Sequence, residues 1–204
     1  MKTISCAKIG EDLLKSFGGE LIHFNEKEII FKQGDPPLYY YQIVEGKVKE
    51  NNYSQDGKEF IHNILGDGQS LGDSMLFVDK KYPINAETLK PTTIIRLSKQ
   101  NFLELLANNH DICIQISGCM SQRLYFQTLM LQNLASNDPV IRLTGLLEYL
   151  KSFHSDDIPS SFEIHLTRQQ IADLTGLRVE TVIRAFKKME QNRMIKIDNR
   201  KIFY

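Results

Sequence analysis

The sequence predicts an α+β fold: an N-terminal β jelly-roll, one long helix, and a C-terminal winged helix-turn-helix domain. Three observations predict it. Between about residues 20 and 98, short runs rich in Ile, Val, Phe and Tyr are punctuated by turn residues at regular spacing, as in a jelly-roll or barrel of seven or eight strands. From Asp111 to about Leu134, apolar residues recur at helical spacing. From Leu166 to Phe186, two short amphipathic stretches flank Gly176. The corresponding division is a β-roll over 1–110, the long helix over 111–136 and the winged domain over 137–204.

The β-region is marked out by Gln33-Gly34-Asp35-Pro36-Pro37, Glu45-Gly46-Lys47, Gln55-Asp56-Gly57-Lys58, Gly66-Asp67-Gly68 and Lys90-Pro91. Asp56-Gly57, lying between Val48–Tyr53 and Phe60–Leu65, predicts a tight hairpin, because both turn residues tolerate positive φ. Ser98 caps a short helix from Lys99 to Ala107. The long helix places Ile112, Ile116, Met120, Leu124, Leu131 and Leu134 broadly on one side, with Cys119, Phe126 and Met130 on an adjoining side. Two apolar faces predict a helix that packs on its own β-domain and on the same helix of a second copy, so a homodimer. The competing reading is a core helix wrapped entirely by its own chain. Asn137-Asp138-Pro139 ends this helix and serves as a hinge, and Pro139 suits the first turn of a helix running from Val140 to Phe153.

In the last quarter, Thr167 is placed to N-cap a helix, with Gln170 three residues on as in a capping box. That helix buries Ile171, Ala172 and Leu174; after Gly176 a second buries Val182, Phe186 and Met189. The exposed face of the second carries Arg178, Glu180, Thr181, Arg184 and Lys188, which suits the major groove of DNA. Met194–Ile197 and Lys201–Tyr204 flank Asp198-Asn199-Arg200 as a hairpin, or wing.

Composition agrees. The 204 residues are 42% hydrophobic and carry zero net charge, but the charge is unevenly placed. Residues 167–204 hold nine Lys/Arg against four Asp/Glu, leaving sixteen against twenty-one for the rest. A basic end on an acidic body attracts phosphate and keeps the body off the duplex. Charged residues interrupt any apolar run near the start, and no stretch approaches the roughly 18 apolar residues of a membrane span. Three cysteines (Cys6, Cys113, Cys119) are too few for a disulfide framework. The expectation is a soluble protein of the reducing cytoplasm with no membrane partner.

The chain resembles the Crp/Fnr family of transcription regulators, which includes the cyclic-AMP receptor protein. The resemblance rests on Ile30-Phe31-Lys32-Gln33-Gly34-Asp35, Tyr41–Val48 and Leu71-Gly72-Asp73, and on Thr167–Ala172 and Glu180-Thr181-Val182-Ile183-Arg184. It implies a cyclic-nucleotide-binding-like jelly-roll, a dimerisation helix, double-stranded DNA with a pseudo-palindromic operator, and RNA polymerase as a partner. In the family a Glu and an Arg four residues later read base edges, and here these match Glu180 and Arg184. Arg can bond guanine O6 and N7, and Glu can accept from cytosine N4. Val179 stands where relatives carry Arg or Pro; it can touch a thymine methyl but cannot donate, so the half-site should differ there. Arg168, Gln169, Arg178, Thr181, Lys187 and Lys188 are expected on phosphates, where they set register without reading sequence.

The effector pocket departs further. Family members that bind cyclic nucleotides hold the ribose with Glu in a Gly-Glu step and the phosphate with Arg in an Arg-Ser/Thr-Ala step. Here the candidate pocket residues are Leu71, Gly72 and Asp73 for the first step and Ile84, Asn85 and Ala86 for the second. Ile84 brings neither charge nor donor, and burying an anionic phosphate unpaired costs several kcal/mol, roughly speaking. The reading is that cAMP and cGMP are not effectors, and that the pocket takes an unknown small molecule or none. An iron–sulfur sensor of this family needs four cysteines, more than the chain has. Haem finds only the single candidates His23, His62 and His110. Cys113 and Cys119 are separated on a helix by about 9 Å and about 240°, too far to bridge within one chain. No cofactor, metal or catalytic constellation is expected, so the chain is read as no enzyme. The alternative function is a small-molecule or redox sensor acting mainly through protein partners.

Overall fold

The computed structural model describes residues 8–78, 80–151 and 162–204. The β-rich part holds a short helix α1 (Glu11–Ser16) and eight strands: β1 (Glu20–Phe24), β2 (Ile29–Phe31), β3 (Tyr39–Glu45), β4 (Lys47–Tyr53), β5 (Glu59–Gly66), β6 (Ser70–Leu71), β7 (Asn85–Thr88) and β8 (Thr92–Ser98). They form two antiparallel four-stranded sheets, ordered β1-β8-β3-β6 and β2-β7-β4-β5. Apart from the β4–β5 hairpin, neighbours in these sheets are not consecutive in sequence, the crossing pattern of a jelly-roll. Between them lie Phe31, Tyr41, Ile43, Val48, Leu65, Leu71, Tyr82, Ala86 and Ile94, all buried. Each large apolar side chain so covered stabilises the unit by about 1.5–3 kcal/mol.

The β4–β5 turn differs from expectation. Gly57 alone takes positive φ, at 75°, while Asp56 stays outside the left-handed region. The Gly57 N–H donates to the Ser54 carbonyl (2.9 Å) and the Ser54 N–H to Lys58 (2.9 Å), so the loop is longer than two residues. One left-handed glycine after an ordinary turn lets the strands keep their twist without straining Asp56.

Helix α2 (Lys99–Asn108) begins where Ser98 accepts from the Asn101 N–H, as its sequence implied. The long helix α3 (His110–Ala135) has 26 residues, about 39 Å of rise. Ile116 and Cys119 are buried in it, whereas Ile114, Leu124, Tyr125 and Leu131 are exposed. One compact unit runs to Met120 and the second begins at Ser121, so the division falls within α3. The side chain of Leu134, and Cys6, lie outside the described residues. No helix among the described residues is long and apolar enough to cross a membrane.

Helix α4 spans Pro139–Lys151, with the Asp138 carboxylate accepting from the Val140 N–H (2.9 Å) and Pro139 in the first turn. Its expected last residues, 152 and 153, lie outside the described part. Helices α5 (Arg168–Thr175) and α6 (Val179–Gln191) follow, then strands β9 (Lys196–Asp198) and β10 (Lys201–Phe203). Leu143, Leu146 and Leu147 of α4 are buried, as are Ile171 and Ala172 of α5 and Val182, Phe186 and Met189 of α6. The wing turn contains two residues rather than three, because Asp198 pairs with Lys201 across β9 and β10. Asn199 (φ 48°) and Arg200 (φ 67°) are both left-handed. A two-residue hairpin of this hand matches strand twist, and here it is the wing, not Asp56-Gly57, that uses one. Residues 162–164 add to its edge, with the Ile164 N–H on the Ile202 carbonyl (2.8 Å).

Asn accepts left-handed φ with little strain, but an Arg there is strained by about 1–2 kcal/mol. Arg200→Gly is therefore expected to raise stability by about 0.5–1 kcal/mol, the gain being reduced by glycine's freer unfolded chain. Urea denaturation of the full chain checks this; a lowered midpoint would contradict the strain.

Candidate functional site

The helix-turn-helix is assembled by local chemistry. Thr167 Oγ1 accepts from the Gln170 N–H (3.1 Å) while Gln170 Oε1 accepts from the Thr167 N–H (2.9 Å), completing the capping box. Gly176 ends α5 at φ 66°, a conformation glycine adopts without strain. Arg142 of α4 donates to the Thr175 carbonyl (3.4 Å), setting a cation at the negative end of α5. Arg178 is the residue before α6; its carbonyl accepts from the Thr181 and Val182 N–H groups, and its side chain is exposed and makes no cap. Arg193 takes φ 57° just beyond α6, and the Met194 N–H returns to the Met189 carbonyl (2.9 Å).

Burying Val182, Ala185, Phe186 and Met189 turns the opposite face of α6 outward. Glu180, Arg184, Lys187 and Lys188 are exposed on it; Thr181 and Val179 are half-covered. Glu180 and Arg184, four residues apart, share one side. The two earlier candidates are committed within the domain. Arg168 lies 5.3 Å over the Phe186 ring and donates to the Arg200 carbonyl (3.3 Å), tying α5 to the wing. Its partial burial draws the guanidinium pKa below its ordinary value, though it stays a cation. Gln169 is exposed but donates to the Asp173 carboxylate (2.9 Å). Sequence reading missed Ile183, which is exposed beside Arg184, and Arg200 at the wing tip. Its only signal for Ile183 was its place beside Val182, a position that helical periodicity already turns away from the core.

In the β-roll, Gly72 takes φ 55° and its N–H donates to Glu50 Oε1 (3.0 Å). A Cβ at Gly72 would stand 2.6 Å from Tyr82 Cε1 and 3.0 Å from Phe31 Cζ. Those two rings stack at 3.8 Å and 13°, so glycine is what lets the pair close. Asp73 is almost wholly buried, accepting from Ser70 Oγ (2.6 Å) and from the Ser74 N–H (3.0 Å). Leu71 and Ala86 are fully buried, and Ile84 packs against the core. Asn85 bridges the Gln33 N–H (2.9 Å) and the Asn51 carbonyl (3.3 Å). The Tyr82 hydroxyl is buried with no hydrogen-bond partner among the described residues. Burial first, then Tyr41 and the carboxylates of Glu50, Asp73 and Asp35, push its phenol well above the ordinary range. The six pocket candidates thus share one region of the roll, which aromatic rings and carboxylates line. Among the described residues no group of His, Cys, Asp and Glu could hold a metal ion.

Comparison with known proteins places this geometry. Residues 21–109 match the cyclic nucleotide-binding domain family, and residues 141–203 match the Crp-like helix-turn-helix domain family. The cAMP-activated global transcriptional regulator CRP of Salmonella typhimurium is 29% identical over 176 residues, covering 84% of this chain and 83% of the relative. The nitrogen fixation regulation protein FixK of Bradyrhizobium diazoefficiens is 25% identical over 200 residues, covering 94% and 81%. Among solved structures, the c-di-GMP-responsive global regulator CLP of Xanthomonas campestris superposes with a TM-score of 0.74 at 20% identity, covering 95% of this chain and 98% of that one. At that identity the likeness is one of fold.

Because the stacked pair leaves no room for a methyl group at a left-handed position, Gly72→Ala is expected to cost the β-roll about 2 kcal/mol or more. A lowered urea midpoint, together with a changed near-ultraviolet tyrosine signal, would register it; an unchanged midpoint would show that the rings give way freely.

Proposed function

The chain belongs to the Crp/Fnr family of DNA-binding transcription regulators, and from that premise we propose a homodimer that binds a pseudo-palindromic operator with half-sites about one helical turn apart. The observation that carries this reading is the outward face of α6, where Glu180 and Arg184 stand exposed together on a helix whose other face is buried. Arg184 bonds guanine and Glu180 accepts from cytosine on neighbouring base pairs. Val179 meets a thymine methyl. Arg178, Thr181, Lys187 and Lys188 lie on phosphates; Arg168 and Gln169 do so while also bracing the wing and α5. The exposed Leu124, Tyr125 and Leu131 of α3 support pairing of this helix with its copy, since a row of large apolar side chains in water marks an interface. Such a dimer acts in the cytoplasm, with RNA polymerase as its protein partner, and has no enzymatic role.

The effector of this protein is neither cAMP nor cGMP. Where family members place a phosphate-binding arginine, Ile84 offers only hydrocarbon, and Glu50 and Asp73 add buried carboxylates to the same region. A phosphodiester there would face like charge in a poorly solvated setting. Relatives of one fold answer to different ligands, cAMP for CRP and c-di-GMP for CLP, so the fold leaves effector choice to the lining. The pocket takes a different small molecule or holds none.

Arg184→Ala is expected to weaken binding to an operator selected from random duplexes by about 10- to 100-fold and to relax base preference at one position per half-site. Fluorescence anisotropy at fixed salt measures it; unchanged affinity and preference would refute the assignment. Titrating the purified protein with cAMP in a calorimeter is expected to give no heat of specific binding, and a micromolar isotherm would overturn the proposal for the effector.

A further inference from the structure

Helical spacing sorts the outward face of α6 into two adjacent rows. Glu180, Arg184 and Lys188 form one; Val179, Ile183 and Lys187 form the other. Ile183 is 41% exposed, more than any other large aliphatic or aromatic residue among the described residues from Phe162 onward. The core of the unit is completed on the far side of the helix by Val182, Ala185, Phe186 and Met189. A β-branched side chain at an exposed helical position is also a poorer helix former than Ala, Lys or Glu. An aliphatic group is thus left partly in water, at a local cost, beside a row of charges.

Those charges decide what covers it. A protein partner with an apolar patch would have to desolvate Arg184 and Lys187 beside Ile183, whereas duplex DNA pairs such cations with phosphates and base acceptors. Within the major groove only one base-edge feature is aliphatic, the 5-methyl group of thymine. We infer that Ile183 is a specificity residue that reads thymine through this methyl, and that with Val179 it forms an apolar strip alongside the Glu180–Arg184 pair. The inference rests on α6 being the base-reading helix. Glu180 and Arg184 select G·C pairs; Ile183 adds selection of an A·T pair at the adjoining step, where cytosine would present an amino group to hydrocarbon.

Uracil in place of thymine removes the methyl and leaves every hydrogen-bonding group, so it isolates the contact. With the full-length protein and an operator selected from random duplexes, single thymine-to-uracil replacements are expected to weaken binding about fourfold at the position Ile183 covers, the effect of one buried carbon. Ile183→Ala should bind the thymine and uracil operators equally, at about the affinity of the unmodified protein for uracil. Circular dichroism should show the helix content kept, as the position is exposed. If no uracil replacement weakens the unmodified protein, or if the penalty persists in Ile183→Ala, the inference is overturned. Arg184→Ala, measured in parallel, separates the two failures. Loss of base preference in that variant, with no uracil effect in the unmodified protein, would remove Ile183 alone; unchanged base preference in that variant, again with no uracil effect, would remove the base-reading assignment of α6 beneath it.

Discussion

Everything the C-terminal domain can present depends on the burial of one face of α6. Val182, Ala185, Phe186 and Met189 are held out of water with Leu143, Leu146 and Leu147 of α4 and Ile171 and Ala172 of α5 also in the core. Once that face is fixed, helical geometry leaves no freedom for the other: Glu180, Ile183, Arg184 and Lys187 must point outward. The left-handed Gly176 sets the angle at which α6 leaves α5, and the capping box fixes where α5 begins. Phe186 serves twice, filling the core and receiving the Arg168 guanidinium on its ring. Arg168 in turn bonds the backbone of Arg200, so one side chain touches both the wing and α6.

The β-roll is governed by a different constraint, the stacking of Phe31 on Tyr82 against Gly72. Gly72 is needed twice, for its positive φ and for its missing Cβ. Its N–H then meets Glu50, and the next residue, Asp73, is withdrawn into bonds with Ser70 and Ser74. Most polar groups of the region bond to one another, while the Tyr82 hydroxyl is buried with no partner among the described residues.

Much of this was legible from residue order. The eight strands, the caps at Ser98 and Thr167, Pro139 at a helix start and the buried faces of α5 and α6 all follow from patterns spanning a few residues. The turns were read less well. Asp56-Gly57 carried the stronger hairpin signal, yet the doubly left-handed turn belongs to Asn199-Arg200, because strand pairing between β9 and β10 forces it there. Helix α1 and the short 3₁₀ segment Asp73–Phe77 escaped notice, being too short to show periodicity.

By itself the sequence determined which residues each helix of the C-terminal domain turns inward and outward, and it named Glu180 and Arg184 as neighbours. These are interactions between residues three or four apart, and backbone geometry settles them without help from the rest of the chain. Only the tertiary structure decided that Arg168 is braced against Phe186 and Arg200, that Asp73 is buried, and that two rings close on Gly72. Such contacts join residues as much as 51 positions apart, as in the stack of Phe31 on Tyr82. Their existence depends on which sheets and helices pack together, and no local periodicity encodes that.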